Sequence, residues 1–344
     1  MAVHRTPPES GPDPVPPAPA PPFDHELSLV VAGLDPERRV PITPDTLAAR
    51  RARDAAARPR PSAEELRDGG RFEVTELRVP GPPGAPDVTL VSARPAGVTG
   101  PLPLLYYLHG GAMVRGNAWS VLPRVLSEWA LPLGLAVVSA EYRLAPEVRF
   151  PEPLEDCYAG LLRVVADASA LDIDPGRVVV GGKSAGGGLA AALALLVRDR
   201  GGPALLGQLL MSPMLDDRDT FSRAQMSGVD VWDATSHTTV WQALLGDRHG
   251  DPDLPPYAAP ARATDLSGLP PACLDVGSAE VFRDEGVAYA NAIWRAGGRA
   301  ELHVWPGACH GFDSLAPGSA LSRDARAART RRLRRLLERP DASG

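Results

Sequence analysis

The sequence predicts an α/β fold in which a mostly parallel central sheet carries helices on both faces. Short apolar runs near residues 104, 135, 178, 205, 272 and 301 are typical of buried strands, and helical stretches near residues 153, 189 and 285 alternate with them. This alternation favours a parallel sheet, because the crossover helices cover both of its faces. Ligand sites of such sheets lie at the carboxyl ends of the strands.

Two segments of different composition precede the first strand-like runs. Residues 1–22 consist mainly of Pro and Ala, which favours an extended chain over packing, so we expect a disordered tail. Residues 23–70 hold a short apolar stretch and then an Ala- and Arg-rich helical stretch that follows Thr43-Pro44-Asp45. The main domain is expected over residues 71–339.

The first functional segment runs from His109 to Ala112 and follows the apolar run from Leu104 to Leu108. Two adjacent glycines after a strand let the backbone approach a ligand closely. The N–H groups of Gly110 and Gly111, together with that of Ala185 further along the chain, are candidates to bind a developing oxyanion. Each such donor contributes on the order of 3 kcal/mol.

Ser184 lies in the middle of the segment Gly182-Lys183-Ser184-Ala185-Gly186, after an apolar run and before an Ala- and Leu-rich helical run. A G-x-S-x-G segment in this position forms a sharp turn, and side chains at its outer positions would clash as the chain reverses. The turn exposes the serine hydroxyl beside the unpaired N–H groups of a helix N-terminus, which favour negative charge. The segment therefore predicts a nucleophilic serine.

The string Gly182-Lys183-Ser184 also invites comparison with a phosphate-binding loop of the form G-x-x-x-x-G-K-[ST]. The first glycine of that pattern would fall at Arg177. The residues from Val178 to Val180 are moreover typical of a strand interior rather than of a loop around a phosphate. The sequence therefore favours the nucleophile turn over a nucleotide site.

Five ordered motifs resemble the hormone-sensitive-lipase-like branch of the α/β-hydrolases (bacterial family IV), whose members carry an HGGG loop followed by a GDSAGG turn. Besides the two segments above, the matching segments are residues 141–147 with 150–151, residues 277–286 and residues 309–312. The resemblance covers most of residues 70–315. It implies the α/β-hydrolase fold with a helical lid, and a serine carboxylesterase that acts on short- to medium-chain acyl esters.

The resemblance and the chain order Ser, acid, His imply a catalytic triad of Ser184, Glu280 and His310. His310 lies in a Gly-flanked loop after a strand-like run, where an imidazole suits a general base. Glu280 falls where the family usually has Asp. Asp284 stays open as the alternative acid, although its position favours a residue of the first helical turn.

Two residues depart from the family pattern. Ala112 replaces the third glycine of the HGGG loop, which changes the backbone angles open to that loop. Lys183 replaces the usual Asp of the serine turn. Its ammonium has three candidate roles: it points to solvent, it pairs with Glu141 or Asp156, or it favours an acidic ester near the reacting carbon.

The sequence predicts no metal and no cofactor. The chain has three cysteines, which show no C-x-x-C spacing and whose odd number argues against a disulfide framework. Cys309 precedes His310 directly, but neighbours in a chain rarely face each other as nucleophile and base. No H-E-x-x-H pattern or His/Cys cluster indicates zinc. His303 lies within a strand pattern and is interpreted as structural.

Length and charge are those of one catalytic domain with additions. The 344 residues are 44% hydrophobic and carry a formal net charge of -6, which does not favour nucleic-acid binding. No apolar stretch is long enough to predict a membrane span or a signal peptide, so a cytoplasmic location is expected. The expected partner is a small-molecule ester substrate, and a homodimer is an open possibility for the assembly.

The resemblance also assigns a lid, built from part of residues 23–70 and from an insert over about 215–257. Trp232 and Trp241 lie in this insert, and together they are candidates for an apolar wall over the acyl group. Near the C-terminus, arginines that include Arg329 alternate with leucines, which predicts a surface helix that docks its leucines.

Two rival functions are kept beside the esterase. One is a hydrolase-like protein that has lost catalysis and retains a ligand pocket, which the departures at Ala112 and Lys183 keep open. The other is an amidase or lactonase that uses the same triad on another substrate. A fluorophosphonate probe separates the first rival from the esterase, because only an activated serine is labelled.

Overall fold

The computed structural model describes residues 18–229 and 231–338. The disorder predicted for the tail therefore falls mostly on residues 1–17, which lie outside the described residues. The described strands form one sheet, whose members are β1 (Phe72–Val79), β2 (Val88–Pro95), β3 (Leu102–Leu108), β4 (Ala136–Glu141), β5 (Ile173–Lys183), β6 (Gly207–Met211), β7 (Ala272–Gly277) and β8 (Ala300–Trp305).

The strand order is β1-β2-β4-β3-β5-β6-β7-β8. Strand β2 runs antiparallel to both of its neighbours, and β3 to β8 are parallel. The predicted α/β-hydrolase fold with a mostly parallel sheet is confirmed. Strands β1 and β2 were not among the predicted runs. The edge strand β1 buries few of its residues, and polar residues interrupt β2, so neither strand carries a continuous apolar signal.

The helices cover both faces of the sheet and fill the connections. They are α1 (His25–Ala32), α2 (Pro44–Ala57), α3 (Ala63–Arg67), α4 (Leu122–Val125), α5 (Leu131–Leu133), α6 (Glu152–Ala166), α7 (Ala185–Asp199), α8 (Phe221–Gln225), α9 (Ala234–Leu245), α10 (Arg283–Arg295), α11 (Phe312–Leu315) and α12 (Ala320–Leu337), with a π-helical turn at Leu126–Ala130 and short 3₁₀ turns at Pro36–Arg39, Gly246–Arg248 and Pro260–Arg262. In the described part of the chain, no helix is long and apolar enough to cross a membrane.

Alternate residues of the central strands enter two separate hydrophobic layers. Tyr106 of β3 belongs to a layer that includes Leu161 of α6 and Leu193 of α7. Its neighbour Leu105 belongs to the opposite layer, together with Leu333 of α12. This alternation follows from the two-residue period of a strand, and it explains why β3 reads as a continuous apolar run: both of its faces are buried.

The C-terminal helix α12 differs from the predicted surface helix in one respect. Its leucines Leu333, Leu336 and Leu337 are buried as expected, but Arg329 is also buried. The Arg329 guanidinium contacts the carboxylates of Asp275 and Asp313. The sequence interpretation placed Arg329 on the surface because its buried partners are remote in the chain.

Candidate active site

Ser184 lies at the turn between β5 and α7, with φ 58° and ψ -124°. A non-glycine residue in this left-handed region costs roughly 1–3 kcal/mol, a strain that is common at functional turns. A Cβ atom on Gly182 would lie 2.4 Å from the Gly186 carbonyl oxygen, and one on Gly186 would lie 2.0 Å from that of Leu108. Both outer positions of the turn therefore require glycine because the backbones approach so closely.

The loops after β7 and β8 bring two more side chains to this turn. The distance from His310 Nε2 to Ser184 Oγ is 3.1 Å, and His310 Nδ1 lies 3.1 Å from Glu280 Oε2. Glu280 is fully buried, and its other carboxylate oxygen accepts a hydrogen bond from the Gly277 N–H at 3.0 Å. The structure thus joins Ser184, His310 and Glu280 in one chain of hydrogen bonds.

The alternative acid Asp284 does not take part in this chain. It lies in the first turn of α10, and its carboxylate accepts a hydrogen bond from the Ser222 N–H at 2.7 Å. The neighbouring Glu285 is buried and accepts a hydrogen bond from the Leu215 N–H. Both side chains therefore fix the loop after β6 and the short helix α8.

The loop after β3 packs directly against the serine turn. A Cβ atom on Gly110 would lie 2.8 Å from the Lys183 carbonyl oxygen and 3.6 Å from Ser184 Cβ. Within the described chain, no hydrogen bond uses the N–H groups of Gly110, Gly111 or Ala185. These three N–H groups are therefore available as donors, and Gly110 and Ala185 lie next to Ser184.

Ala112 adopts φ 58° and the following Met113 adopts φ 60°. These angles explain why the related family uses glycine at the position of Ala112, since a Cβ atom is disfavoured there. Ala112 nevertheless packs into the core, where it is 2% exposed. Alanine at position 112 therefore strains this loop, which still packs against the serine turn through Gly110.

His109 supports the same loop without facing the cleft. Its ring stacks on Tyr142 with the ring centres 4.1 Å apart, and the Tyr142 hydroxyl donates a hydrogen bond to the His109 carbonyl oxygen at 2.7 Å. Burial lowers the pKa of His109 to about 4, so the imidazole is neutral at pH 7. This histidine is part of the support of the loop.

Lys183 takes none of the partners that the sequence suggested. Its ammonium pairs with Asp313 and donates a hydrogen bond to Ser314 Oγ at 2.9 Å. Asp156 instead binds Arg143, and Glu141 accepts a hydrogen bond from the Ala118 N–H. Asp313 follows His310 by three positions but Lys183 by 130, so no local pattern indicates this pair.

Asp313 is the centre of a buried ion cluster under the histidine loop. Besides Lys183, it contacts Arg124 at 2.7 Å and also Arg329. Burial alone would raise the pKa of Asp313, but Lys183, Arg329 and Arg124 hold that pKa well below its usual range. Arg329 extends the cluster to Asp275 of β7 at 2.7 Å. The cluster links the serine turn to the histidine loop, β7 and α12.

A cleft of about 1420 Å³ opens over Ser184 and His310. Helix α2 lines one side of it, and Trp232, which lies 6.4 Å from His310 between ring centres, lines another. Trp241 is fully buried against His237 and does not line the cleft, so the predicted pair of tryptophans is wrong for Trp241. The reason is that Trp241 lies on the inward face of α9.

Arginine contacts anchor the helix α2 to the rim of the cleft. Arg51 donates to the carbonyl oxygens of Val114 and Ala145 and pairs with Glu147. The other end of the helix is tied to α9, because the Ile42 N–H donates to Ser236 Oγ at 2.8 Å. The segments predicted as two parts of a lid therefore touch each other.

The described residues contain no group of three or more His, Cys, Asp or Glu side chains arranged to hold a metal ion. They contain instead a serine hydroxyl, an imidazole and a carboxylate joined by hydrogen bonds, beside backbone N–H groups that have no described partner. An arrangement of this kind is chemically able to transfer an acyl group.

Comparisons with known proteins also indicate a hydrolase. A family model described as alpha/beta hydrolase fold matches residues 105–314, and the chain belongs to this family, in its hormone-sensitive-lipase-like branch. It is a carboxylic ester hydrolase.

Relatives in two kinds of comparison carry esterase names. Carboxylesterase NlhH of Mycobacterium tuberculosis is 36% identical over 244 residues, which are 70% of this chain and 76% of that protein. A solved structure named Bacterial Heroin Esterase is 38% identical, with a TM-score of 0.84 over 92% of this chain and 98% of that one. The Pyrobaculum calidifontis esterase is 28% identical, with a TM-score of 0.78 over 92% of this chain and 99% of that one.

Proposed function

We propose that this protein hydrolyses short- to medium-chain acyl esters through an acyl-enzyme formed on Ser184. The observation that carries the proposal is the continuous hydrogen-bond chain from Ser184 Oγ through both His310 nitrogens to Glu280. A serine hydroxyl becomes a competent nucleophile only when a positioned base takes its proton. His310 is the base within reach, and it is held by a third group, as in other triads.

In the first half of the reaction, Ser184 Oγ attacks the ester carbonyl carbon while its proton passes to His310 Nε2. The N–H groups of Gly110, Gly111 and Ala185 bind the resulting oxyanion. The tetrahedral intermediate then collapses, and His310 gives its proton to the departing alcohol. The products of this half are an acyl ester on Ser184 and the free alcohol.

In the second half, His310 takes a proton from water, and the water oxygen attacks the acyl carbon. Collapse of the second intermediate returns the proton to Ser184 Oγ and releases the carboxylic acid. Glu280 holds the imidazole in position and stabilises its cation. The enzyme is therefore regenerated with no change in any other residue.

The lid assignment belongs to the same proposal. Residues 23–70 and 215–257 would form the lid of a hydrolase domain over residues 71–339. They supply α2 and Trp232 to the lining of the cleft, and α9 holds the segment that leads into α2. Arg51 clamps α2 to the loops after β3 and β4. A cleft of about 1420 Å³ is roomy for short acyl esters, so the lid side chains would set the chain length.

The test measures turnover of p-nitrophenyl acetate, butyrate, octanoate and laurate by the wild type and by Ser184→Ala. We expect kcat/KM to be highest for the short and medium chains, and Ser184→Ala to lose at least about 10³-fold. A fluorophosphonate probe should label the wild type and not the variant. Wild type that is neither labelled nor active would support the rival of a binding protein without catalysis, and equal turnover by wild type and Ser184→Ala would contradict the role of Ser184 as nucleophile.

A further inference from the structure

The cleft over Ser184 has an excess of positive charge although the chain as a whole is acidic. Among the described residues that line it, ten are basic and six are acidic, in a chain with a formal net charge of -6. A cleft lined mainly by one sign of charge concentrates ligands of the opposite sign. Only the cations that are not already paired with a carboxylate of the protein can bind a ligand in this way.

Most of the basic side chains in the cleft are already neutralised. Near the reacting serine, Lys183 pairs with Asp313, and Arg124 pairs with Asp313 and Glu128. Arg115 pairs with Asp54 at 2.6 Å. Because these cations are already paired with carboxylates of the protein, they attract a substrate anion only weakly.

Three arginines of the lid segment have no carboxylate partner among the described residues: Arg38, Arg50 and Arg58. Arg50 is the most enclosed of the three and is half-buried. Its Nη2 donates to the carbonyl oxygens of Arg38 and Val40, at 3.2 and 2.5 Å, while its Nε and Nη1 donate to no described atom. Arg50 is thus held in position, and its Nε and Nη1 remain available to donate hydrogen bonds to a ligand.

The electrostatic surroundings of Arg50 are unfavourable for a lone cation. Burial lowers the pKa of Arg50, and the nearby charges of Arg115 and Arg53 lower it further. Asp54 and Asp233 oppose this shift but form no ion pair with Arg50. Arg50 therefore lacks a carboxylate in direct contact among the described residues, and an anionic ligand would supply one.

Glu141 does not cancel this excess fully. Its carboxyl group also lines the cleft, and burial raises its pKa to about 6, against the hydrogen bond from the Ala118 N–H and the charge of Arg60. A carboxyl group with such a pKa is protonated in part near neutral pH. At pH 7 roughly one such group in ten is protonated, so Glu141 keeps most of its charge and remains one of six acidic side chains beside ten basic ones.

We propose that Arg50, with Arg38 and Arg58 on the same lid segment, forms an anion subsite that selects esters bearing a carboxylate in their acid or alcohol part. The inference rests on the proposed function, since it names the substrate class of the same cleft. Binding of the carboxylate is strengthened by the half-buried setting of Arg50, and it leaves the reaction at Ser184 unchanged. For an ion pair of this kind, at an exposed to half-buried position, we expect kcat/KM to be about fivefold higher for an anionic ester than for a neutral one of similar size.

The experiment compares esters that differ in charge and little in size. One pair is 4-acetoxybenzoate and 4-acetoxybenzamide, with the carboxylate in the alcohol part. The other is monophenyl adipate and phenyl hexanoate, with the carboxylate in the acid part. For each pair, the ratio of kcat/KM values is divided by the ratio of hydroxide-catalysed rates, which removes the difference in intrinsic reactivity.

The wild type should prefer the anionic ester about fivefold in at least one pair, and Arg50→Gln should lose most of this preference. Arg50→Lys should keep most of it, because the charge is retained. Arg78→Gln is the matched control: Arg78 is exposed on β1 and does not line the cleft, and this change removes the same charge from the chain. It should leave the ratio unchanged.

The outcomes separate the two proposals. No preference in either pair, or a preference that Arg50→Gln retains, overturns the anion subsite. If Arg50→Gln does not fold, the wild type decides, since a preference that 0.5 M NaCl does not reduce also overturns the subsite. Failure of the wild type to hydrolyse the neutral esters would instead count against the proposed function.

Discussion

Replacement of Asp313 by Asn tests whether the ion cluster under the histidine loop stabilises the fold. The Asp313 side chain is 1% exposed and contacts Lys183, Arg124 and Arg329. Asn keeps the size of the side chain and removes its charge. Three cations then lose a shared carboxylate that is itself buried.

The cost depends on which cation is left without a partner. Arg124 keeps Glu128 at 2.9 Å and Arg329 keeps Asp275 at 2.7 Å. Lys183 has no other carboxylate among the described residues. Loss of one partner of a buried pair costs 3–5 kcal/mol, so we expect Asp313→Asn to lower the free energy of unfolding by about 4 kcal/mol.

The reverse change should be milder. Lys183→Met leaves Asp313 with two arginines, and the Lys183 side chain is 20% exposed, so we expect a loss of about 1 kcal/mol. The double variant Lys183→Met/Asp313→Asn should be about 2 kcal/mol more stable than Asp313→Asn, because the unpaired ammonium is gone. Urea unfolding followed by tryptophan fluorescence and circular dichroism measures all four proteins.

The acid range gives a second readout. Burial raises the pKa of Asp313, but its three cations outweigh burial and hold the pKa in the folded protein below the value of about 3.9 in the unfolded chain. The stabilisation is therefore complete above about pH 4 and is lost as the pH falls through the lower, folded value. The difference between wild type and Asp313→Asn should narrow in that range. A loss below about 1 kcal/mol, or Lys183→Met as the more damaging change, would refute this reasoning.

Three further predictions follow from the site and its surroundings. Glu280→Gln should lower kcat on p-nitrophenyl butyrate about 10³- to 10⁴-fold, while Asp284→Asn should change it less than about threefold; similar losses would contradict the choice of acid. Gly186→Ala should unfold the protein or cost more than about 3 kcal/mol in thermal denaturation, since its Cβ would lie 2.0 Å from a carbonyl oxygen, whereas Gly318→Ala, which meets nothing within 4 Å, should be nearly neutral. Burial, with a contribution from Arg223, lowers the pKa of His237 to about 3. As the pH falls below about 6.5, His237 therefore takes up a proton in the unfolded chain before it does so in the folded protein. Between pH 7 and pH 5, the free energy of unfolding of the wild type should fall by about 2 kcal/mol more than that of His237→Gln. An equal fall in both proteins would contradict the low pKa of His237 in the folded protein.

Much of the fold and of the candidate site was readable from local patterns. The apolar runs located β3 to β7, since strands that are largely buried on both faces leave a continuous signal. The run near residue 301 also located β8, although none of its residues is fully buried. The glycines around Ser184 and after His109 indicated two turns at strand ends, and parallel strands place such turns at one edge of the sheet. The roles of Ser184, Glu280 and His310 in catalysis stay predictions, as do the homodimer and the cytoplasmic location.

Only the tertiary structure decided which charges are neutralised. Lys183 meets Asp313 across 130 positions of the chain, and Arg329 is buried where an Arg- and Leu-rich pattern predicts a surface. Arg50 is left without a carboxylate partner among the described residues, although Arg53, three positions further along the same helix, pairs with Glu37. A sequence pattern shows how buried and exposed residues alternate along a segment. Ion pairs depend instead on distances of a few ångströms between segments that are remote in the chain, and packing alone sets those distances.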